Sequence, residues 1–144
     1  MSVKQMIVCT VLLLAAAPSY AIGSVNVSDA WIRAMPEGIP SGGYFNLHND
    51  TGRDMVLTGA RAPDCESLML HKSETTGGMS TMHHVNEVDV PAGGGVTFAP
   101  GGYHLMCMGA GPAIKPGAKV PVTLLFKDGS KIVAAFSVRD AAGK

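Results

Sequence analysis

Histidine and methionine crowd the middle third of this 144-residue chain. Four of its five His and five of its nine Met fall between Met69 and Met108. They sit in three short runs: Leu68-Met69-Leu70-His71, Met79-Ser80-Thr81-Met82-His83-His84, and Tyr103-His104-Leu105-Met106-Cys107-Met108. Thioether sulfur is a soft donor that stays uncharged at any pH, and together with imidazole it favours Cu(I) over hard ions such as Mg or Ca. Zinc is better served by thiolate, imidazole or carboxylate, and only Glu74, Glu87 and Asp89 supply carboxylates nearby. Two Met and two His form a roughly tetrahedral shell for Cu(I) with no charged ligand. Such a shell responds to pH only through its imidazoles, which bind metal when neutral.

Such donors need a scaffold that aims them at one point. Eighteen Gly and nine Pro suit a chain that turns often, and no window of eleven or more residues carries a 3.6-residue period. Short alternating runs recur instead: Val25 to Arg33, Gly43 to His48, Met55 to Ala60, Glu66 to His71, Val96 to Ala99, Tyr103 to Met108, Val120 to Phe126 and Lys131 to Val138. Turn residues stand between them, and Lys127-Asp128-Gly129-Ser130 reads as a hairpin. The pattern predicts an all-β chain, an antiparallel sandwich or barrel. Alternate side chains of a strand point to opposite faces. Leu68, Leu70, Leu105 and Cys107 therefore read as core, with Met69, His71, His104, Met106 and Met108 on the other parity.

Most Met residues in strands simply fill gaps in cores, and Met35 and Met55 are read that way. His48 is read as a surface residue. His83 and His84 are neighbours, so at most one faces a given site. Met79 and Met108 are candidate auxiliary sulfur donors.

The start of the chain, MSVKQMIVCTVLLLAAAPSYA, has Lys4, an apolar run from Ile7 to Ala17, and a small-x-small ending at Ala21. This is the pattern of a secretory signal peptide over residues 1–21. The run is shorter than the ~20 residues that span a bilayer. The mature chain, 22–144, is expected to be a single exported domain, in the periplasm and without stable membrane insertion. Eleven basic against eleven acidic residues leave no basic surface of the kind nucleic acids require. Export favours disulfides, but strand parity puts Cys65 with Met69 and His71 and Cys107 on the opposite face. Two separate thiols are therefore expected, unless an irregularity near Pro63 overturns the parity.

The spacing of the donors sharpens this reading. His71, ten residues, Met82, twenty-one residues, His104, one residue and Met106 together resemble the signature of the PCu(A)C family of periplasmic copper chaperones. So do Asp29-Ala30-Trp31-Ile32-Arg33-Ala34, Val90-Pro91-Ala92-Gly93-Gly94 and Pro100-Gly101-Gly102-Tyr103. The resemblance runs from about Val25 to Val138. It implies a cupredoxin-like, Greek-key β-sandwich that binds one Cu(I) through His71, Met82, His104 and Met106. It further implies a protein that hands copper to an acceptor, a cytochrome c oxidase subunit or a Sco-type protein; a monomer is expected. Some relatives add a His- and Met-rich C-terminal extension linked to Cu(II). This chain stops at Ala141-Ala142-Gly143-Lys144, so that second site is expected to be missing.

Two other functions compete with copper transfer. A blue-copper electron carrier needs a Cys thiolate with two His and a weak axial Met. Cys107 has the wrong parity for this, and no His follows it. A β-sandwich interaction domain, with its Met and His incidental, is the other alternative. An enzyme is not expected: there is no H-E-x-x-H and no G-x-S-x-G, and a closed soft shell leaves no open position for water.

Overall fold

The structure is a computed structural model and describes residues 23–144. The signal-peptide reading of residues 1–21 lies outside the described residues. Ten strands follow in order: β1 (Val25–Arg33), β2 (Ser41–Asn49), β3 (Met55–Arg61), β4 (Cys65–Thr76), β5 (Met79–His84), β6 (Val88–Val90), β7 (Gly95–Phe98), β8 (Tyr103–Ala110), β9 (Lys119–Phe126) and β10 (Lys131–Arg139). The described residues contain no helix, and so none long and apolar enough to cross a membrane.

One ladder joins all ten strands in the order β5-β4-β8-β7-β2-β1-β10-β9-β3-β6, with a further pairing of β8 to β2. Every pairing is antiparallel except β1 with β10 and β7 with β8, which are parallel. The ladder folds over on itself around one core. Ile32, Phe45, Leu70, Phe98 and Leu105 from one half pack with Leu57, Val90, Val122, Leu124 and Phe136 from the other. Phe45 stacks on Phe98 at 4.3 Å between ring centroids and meets Phe136 at 5.6 Å. Burying such side chains stabilises the fold by about 1.5–3 kcal/mol each.

The alternation read from the sequence is present where it matters most. In β8, Leu105 and Cys107 are buried while Met106 is half-buried and Met108 exposed. In β4, Leu68 and Leu70 are buried and Met69 and His71 half-buried. The hairpin at Lys127-Asp128-Gly129-Ser130 forms as expected: Asp128 Oδ1 accepts from the Ser130 amide at 2.9 Å, and Gly129 has φ +86°. Strand β1 carries a bulge between Ser28 and Trp31, with Asp29 at φ +50° held by an Asn46 Nδ2 hydrogen bond. The extra residue shifts the parity. Beyond it, Ile32 faces the core, and Trp31 and Arg33 take the opposite face.

Two strands go beyond the sequence reading. β5 is exposed at all six positions and β6 has three residues, so neither shows the alternation of a half-buried strand. The two-glycine turn Gly77-Gly78, with φ of +59° and +79°, joins β4 to β5 as a tight hairpin.

The expectation of two separate thiols is corrected. Cys65 and Cys107 form a disulfide, with Cα atoms 5.4 Å apart. Alternation in β4 breaks at its start: Glu66 and Ser67 are both exposed between buried Cys65 and Leu68. Opposite, Gly109 turns β8 at φ +59°. The break brings the Cys65 side chain inward beside Cys107, which the regular part of the strand would not do.

Candidate metal centre

Three neighbouring strands, β5, β4 and β8, carry every residue of the spaced motif. Their register aligns His84 with His71 and His71 with His104, Met69 with Met106, and Ser73 with Met82. Residues directly paired across strands share a face. His71, Met82, His104 and Met106 therefore lie on one face of the sheet, with Met69 and His84 beside them.

Two of the imidazole nitrogens here are buried without protein partners. The His71 ring lies 5.8 Å from His104 and 5.7 Å from His84, edge-on to both. His104 is 6% exposed. Its Nδ1 stands 3.1 Å from the Gly102 carbonyl oxygen. A carbonyl can only accept, so in the neutral tautomer that fits this contact Nδ1 carries the proton and Nε2 the lone pair. That Nε2 is buried and has no hydrogen-bond partner, and neither has His71 Nδ1. Buried polar atoms are nearly always paired, and a metal ion is one of the few reasons they are not. The His71 pKa is lowered, first by burial and then by the positive charge that His104, His84 and His83 can carry. Burial and these neighbours thus favour its neutral form, the one that ligates metal.

Met82, His104 and Met106 line one cavity of about 280 Å³. Gly42 of β2, paired with Met106, helps form its wall. A Cβ at Gly42 would come within 2.5 Å of the Tyr44 hydroxyl, so only glycine lets the tyrosine lie there. Met82, 52% exposed, stands on the outer strand and leaves the centre within reach of solvent. No group of three or more His, Cys, Asp or Glu among the described residues is placed to hold a metal. Any site here must recruit the thioethers, and its donor set is then soft and uncharged.

The remaining sequence candidates divide. His84 shares the motif's face and hydrogen-bonds Asn86 at 3.1 Å. His83, paired with Lys72, points the other way. Met79 pairs with Thr76 at the hairpin end and is 71% exposed. Met108 borders a separate hollow against Ile39 and Pro112. Met55 is in the core and His48 is on the surface beside Asp50, 2.9 Å away. Met35 departs from expectation: it lines the cavity rather than the core, as do Arg33 and Tyr44. The sequence assigned no site role to these three, although Arg33 falls in the quoted Asp29-to-Ala34 stretch, because the β1 bulge and the Gly42 gap that bring them in have no signature of their own. The disulfide removes the blue-copper alternative on chemical grounds, since a bonded Cys107 sulfur is no thiolate.

The LpqE-like lipoprotein family model matches residues 25–138. The lipoprotein-named Lxx21020 of Leifsonia xyli subsp. xyli is 35% identical over 138 residues, covering 94% of this chain and 82% of that protein. Among solved structures, the copper-bound PCuAC domain from PmoF2 has a TM-score of 0.66 at 23% identity, over 84% of this chain and 97% of that domain. The solution structure of Cu(I)-DR1885 from Deinococcus radiodurans has a TM-score of 0.62 at 30% identity, over 83% of this chain and 79% of that one. The chain belongs to the LpqE-like family, the PCu(A)C family of the sequence resemblance, and has the cupredoxin-like β-sandwich fold of its PCuAC domains.

Proposed function

We propose that this protein is an exported copper carrier that binds one Cu(I) through His71, Met82, His104 and Met106 and passes it to an acceptor protein. The observation that carries the reading is the set of two buried imidazole nitrogens without partners, His71 Nδ1 and His104 Nε2, on the same face as the two thioethers. Four neutral soft donors favour a monovalent soft ion and offer little to hard ones. The copper-bound PmoF2 domain and Cu(I)-DR1885 support the choice of metal. Copper transfer follows from the architecture. Met82 stands half-exposed on an edge strand, so an incoming thiolate or thioether can replace it first while the buried imidazoles still hold the ion. A carrier built this way needs no open catalytic position, and the protein is a binding protein rather than an enzyme.

Assembly of a cytochrome c oxidase copper centre, directly or by way of a Sco-type partner, is the use we assign to the transferred ion. The acceptor meets the protein outside the cytosol, in the periplasm, after removal of residues 1–21. The lipoprotein names of the relatives and the disulfide both agree with export. The deciding experiment titrates the purified mature chain with Cu(I) against a chromophoric Cu(I) chelator. One equivalent withheld from the chelator by the wild type, and lost in Met106→Ala, is expected. Equal retention by Met106→Ala and Met55→Ala would refute the ligand set.

A further inference from the structure

Three of the four proposed donors, Met82, His104 and Met106, take up only part of the cavity's wall. Across Gly42 the register continues from Met106 to Arg33: Met106 pairs with Gly42, and Gly42 with Arg33. The missing side chain at Gly42 lets the Tyr44 hydroxyl lie between Arg33 and Met106, and all four residues line the cavity.

Arg33 is held as a binding group is held. Its guanidinium carbon lies 5.6 Å from the Trp31 ring centroid and 5.7 Å from that of Tyr44, and Arg139 packs on Trp31 at 4.6 Å. Stacking of this kind fixes the guanidinium plane and leaves its in-plane N–H groups for a ligand. Arg33 Nε is buried and has no hydrogen-bond partner, and among the described residues no carboxylate pairs with Arg33. None of the residues lining the cavity is an Asp or Glu. The cavity thus holds a fixed cation and an unpaired donor with no anion to answer them. A carboxylate matches the guanidinium fork, two oxygens against two parallel N–H groups.

We propose that Arg33 and the Tyr44 hydroxyl form a carboxylate-binding subsite on the wall facing Met106 and His104. The carboxylate is either a small free anion or an acidic side chain presented by a docking protein. One consequence rests on the copper reading above: a Cu(I) ion in an uncharged shell adds a second positive charge to this cavity, so metal and carboxylate each strengthen the other's binding.

The test begins on the metal-free protein, where the copper reading plays no part. Acetate is titrated against chloride at constant ionic strength, following the Arg33 Nε–Hε resonance by NMR. A saturable shift with acetate and none with chloride is expected. Arg33→Lys keeps the charge but loses the fork, and should weaken acetate binding by about fivefold or more. Tyr44→Phe should weaken it less, and Arg53→Lys, at the Asp128 ion pair on the surface, not at all. An acetate shift that never saturates, one matched by chloride, or unchanged affinity in a folded Arg33→Lys protein overturns the proposal. A blocked Gly-Asp-Gly peptide then separates the sources. Binding as tight as acetate points to an acidic side chain, acetate binding alone points to a free ion, and both uphold the subsite. Repeating the titration with one equivalent of Cu(I) separates the two readings. Acetate binding without copper retention leaves the subsite and removes the copper role; copper retention without acetate binding does the reverse.

Discussion

The two hairpins toward opposite ends of the ladder are built on different rules. In β9–β10, Val120, Val122, Leu124 and Phe126 alternate with more exposed positions and meet Phe136 and Val138 in the core. In β4–β5, burial stops near His71, and the hairpin runs on through Lys72 to His84 with almost nothing buried. The first hairpin is stable because of what it covers. The second is held by its ladder bonds and the Gly77-Gly78 turn, and its side chains are left over for other uses. Stability and chemistry thus separate by face as well as by strand, since β4 and β8 bury Leu70 and Leu105 on one face and carry His71, His104 and Met106 on the other, and the division can be tested from either side.

The widest gap should appear in a pair of alanine variants. Leu124→Ala removes a fully buried side chain and should cost about 2–5 kcal/mol. Thr81→Ala, on the exposed β5, should stay within about 0.5 kcal/mol. Denaturant unfolding of the metal-free protein measures both. A Thr81→Ala cost approaching that of Leu124→Ala would mean that the β4–β5 hairpin is a structural element after all.

The disulfide is where the two regions meet. It ties β4 to β8, the strands that carry His71, His104 and Met106, and closes a separation of 42 residues. Restricting the unfolded chain over such a loop is worth about 2–4 kcal/mol. Replacing both Cys65 and Cys107 by Ala should lower stability by that order. If the crosslink also steadies the register of His71 with His104, Cu(I) affinity in the folded variant should fall as well, by less than the loss of a ligand. A double variant as stable as the wild type would show that the unfolded chain is already compact there.

Removing the proposed ligands should reverse the pattern seen in the core. His104→Ala is expected to lower Cu(I) affinity by about 100-fold or more, since even outer-shell partners of metal ligands are worth ~10–100-fold. Met55→Ala, in the core at 5% exposure, should leave affinity alone and cost about 2–5 kcal/mol of stability. Chelator competition and unfolding on the same two proteins give the complete cross. An affinity loss in Met55→Ala equal to that in His104→Ala would erase the distinction between the regions.

The same division explains what could be read from the chain. Strands that bury every second residue announce themselves, so β8, β9 and β10 and the Lys127-to-Ser130 turn were legible. So was the one-face placement of His104 with Met106, because parity within a strand needs no tertiary knowledge. β5 was not legible, since a strand exposed at every position has no period. The Cys65–Cys107 pairing failed for a related reason: parity assumes an unbroken strand, and two exposed residues in succession, Glu66 and Ser67, break it, an irregularity for which Pro63 was the sole warning read from the sequence. Arg33 and Tyr44 were hidden one level further. They reach the cavity through a bulge at Asp29 and a gap at Gly42 that exist only once three strands are aligned.

The smallest expected effect concerns protons, and its sign follows from His71. In the folded protein its pKa lies below the ordinary 6.5, lowered by burial first and by the neighbouring His104, His84 and His83 after it. The unfolded chain takes up the proton near 6.5 while the folded chain resists it. Stability from this residue is therefore complete above pH 6.5 and is lost as the pH falls below that value toward the folded pKa. Metal-free wild type should lose stability on acidification through this window, and His71→Gln should flatten the slope. Cu(I) held as proposed should deepen the contrast, because the metal would occupy the lone pairs that protons would take and acid would have to displace it. Unfolding curves collected across the window, with and without copper, separate these contributions. An unchanged slope in metal-free His71→Gln would assign the proton uptake to other groups. A copper-loaded protein whose release does not respond to pH there would place the ion away from the imidazoles, on thioethers alone.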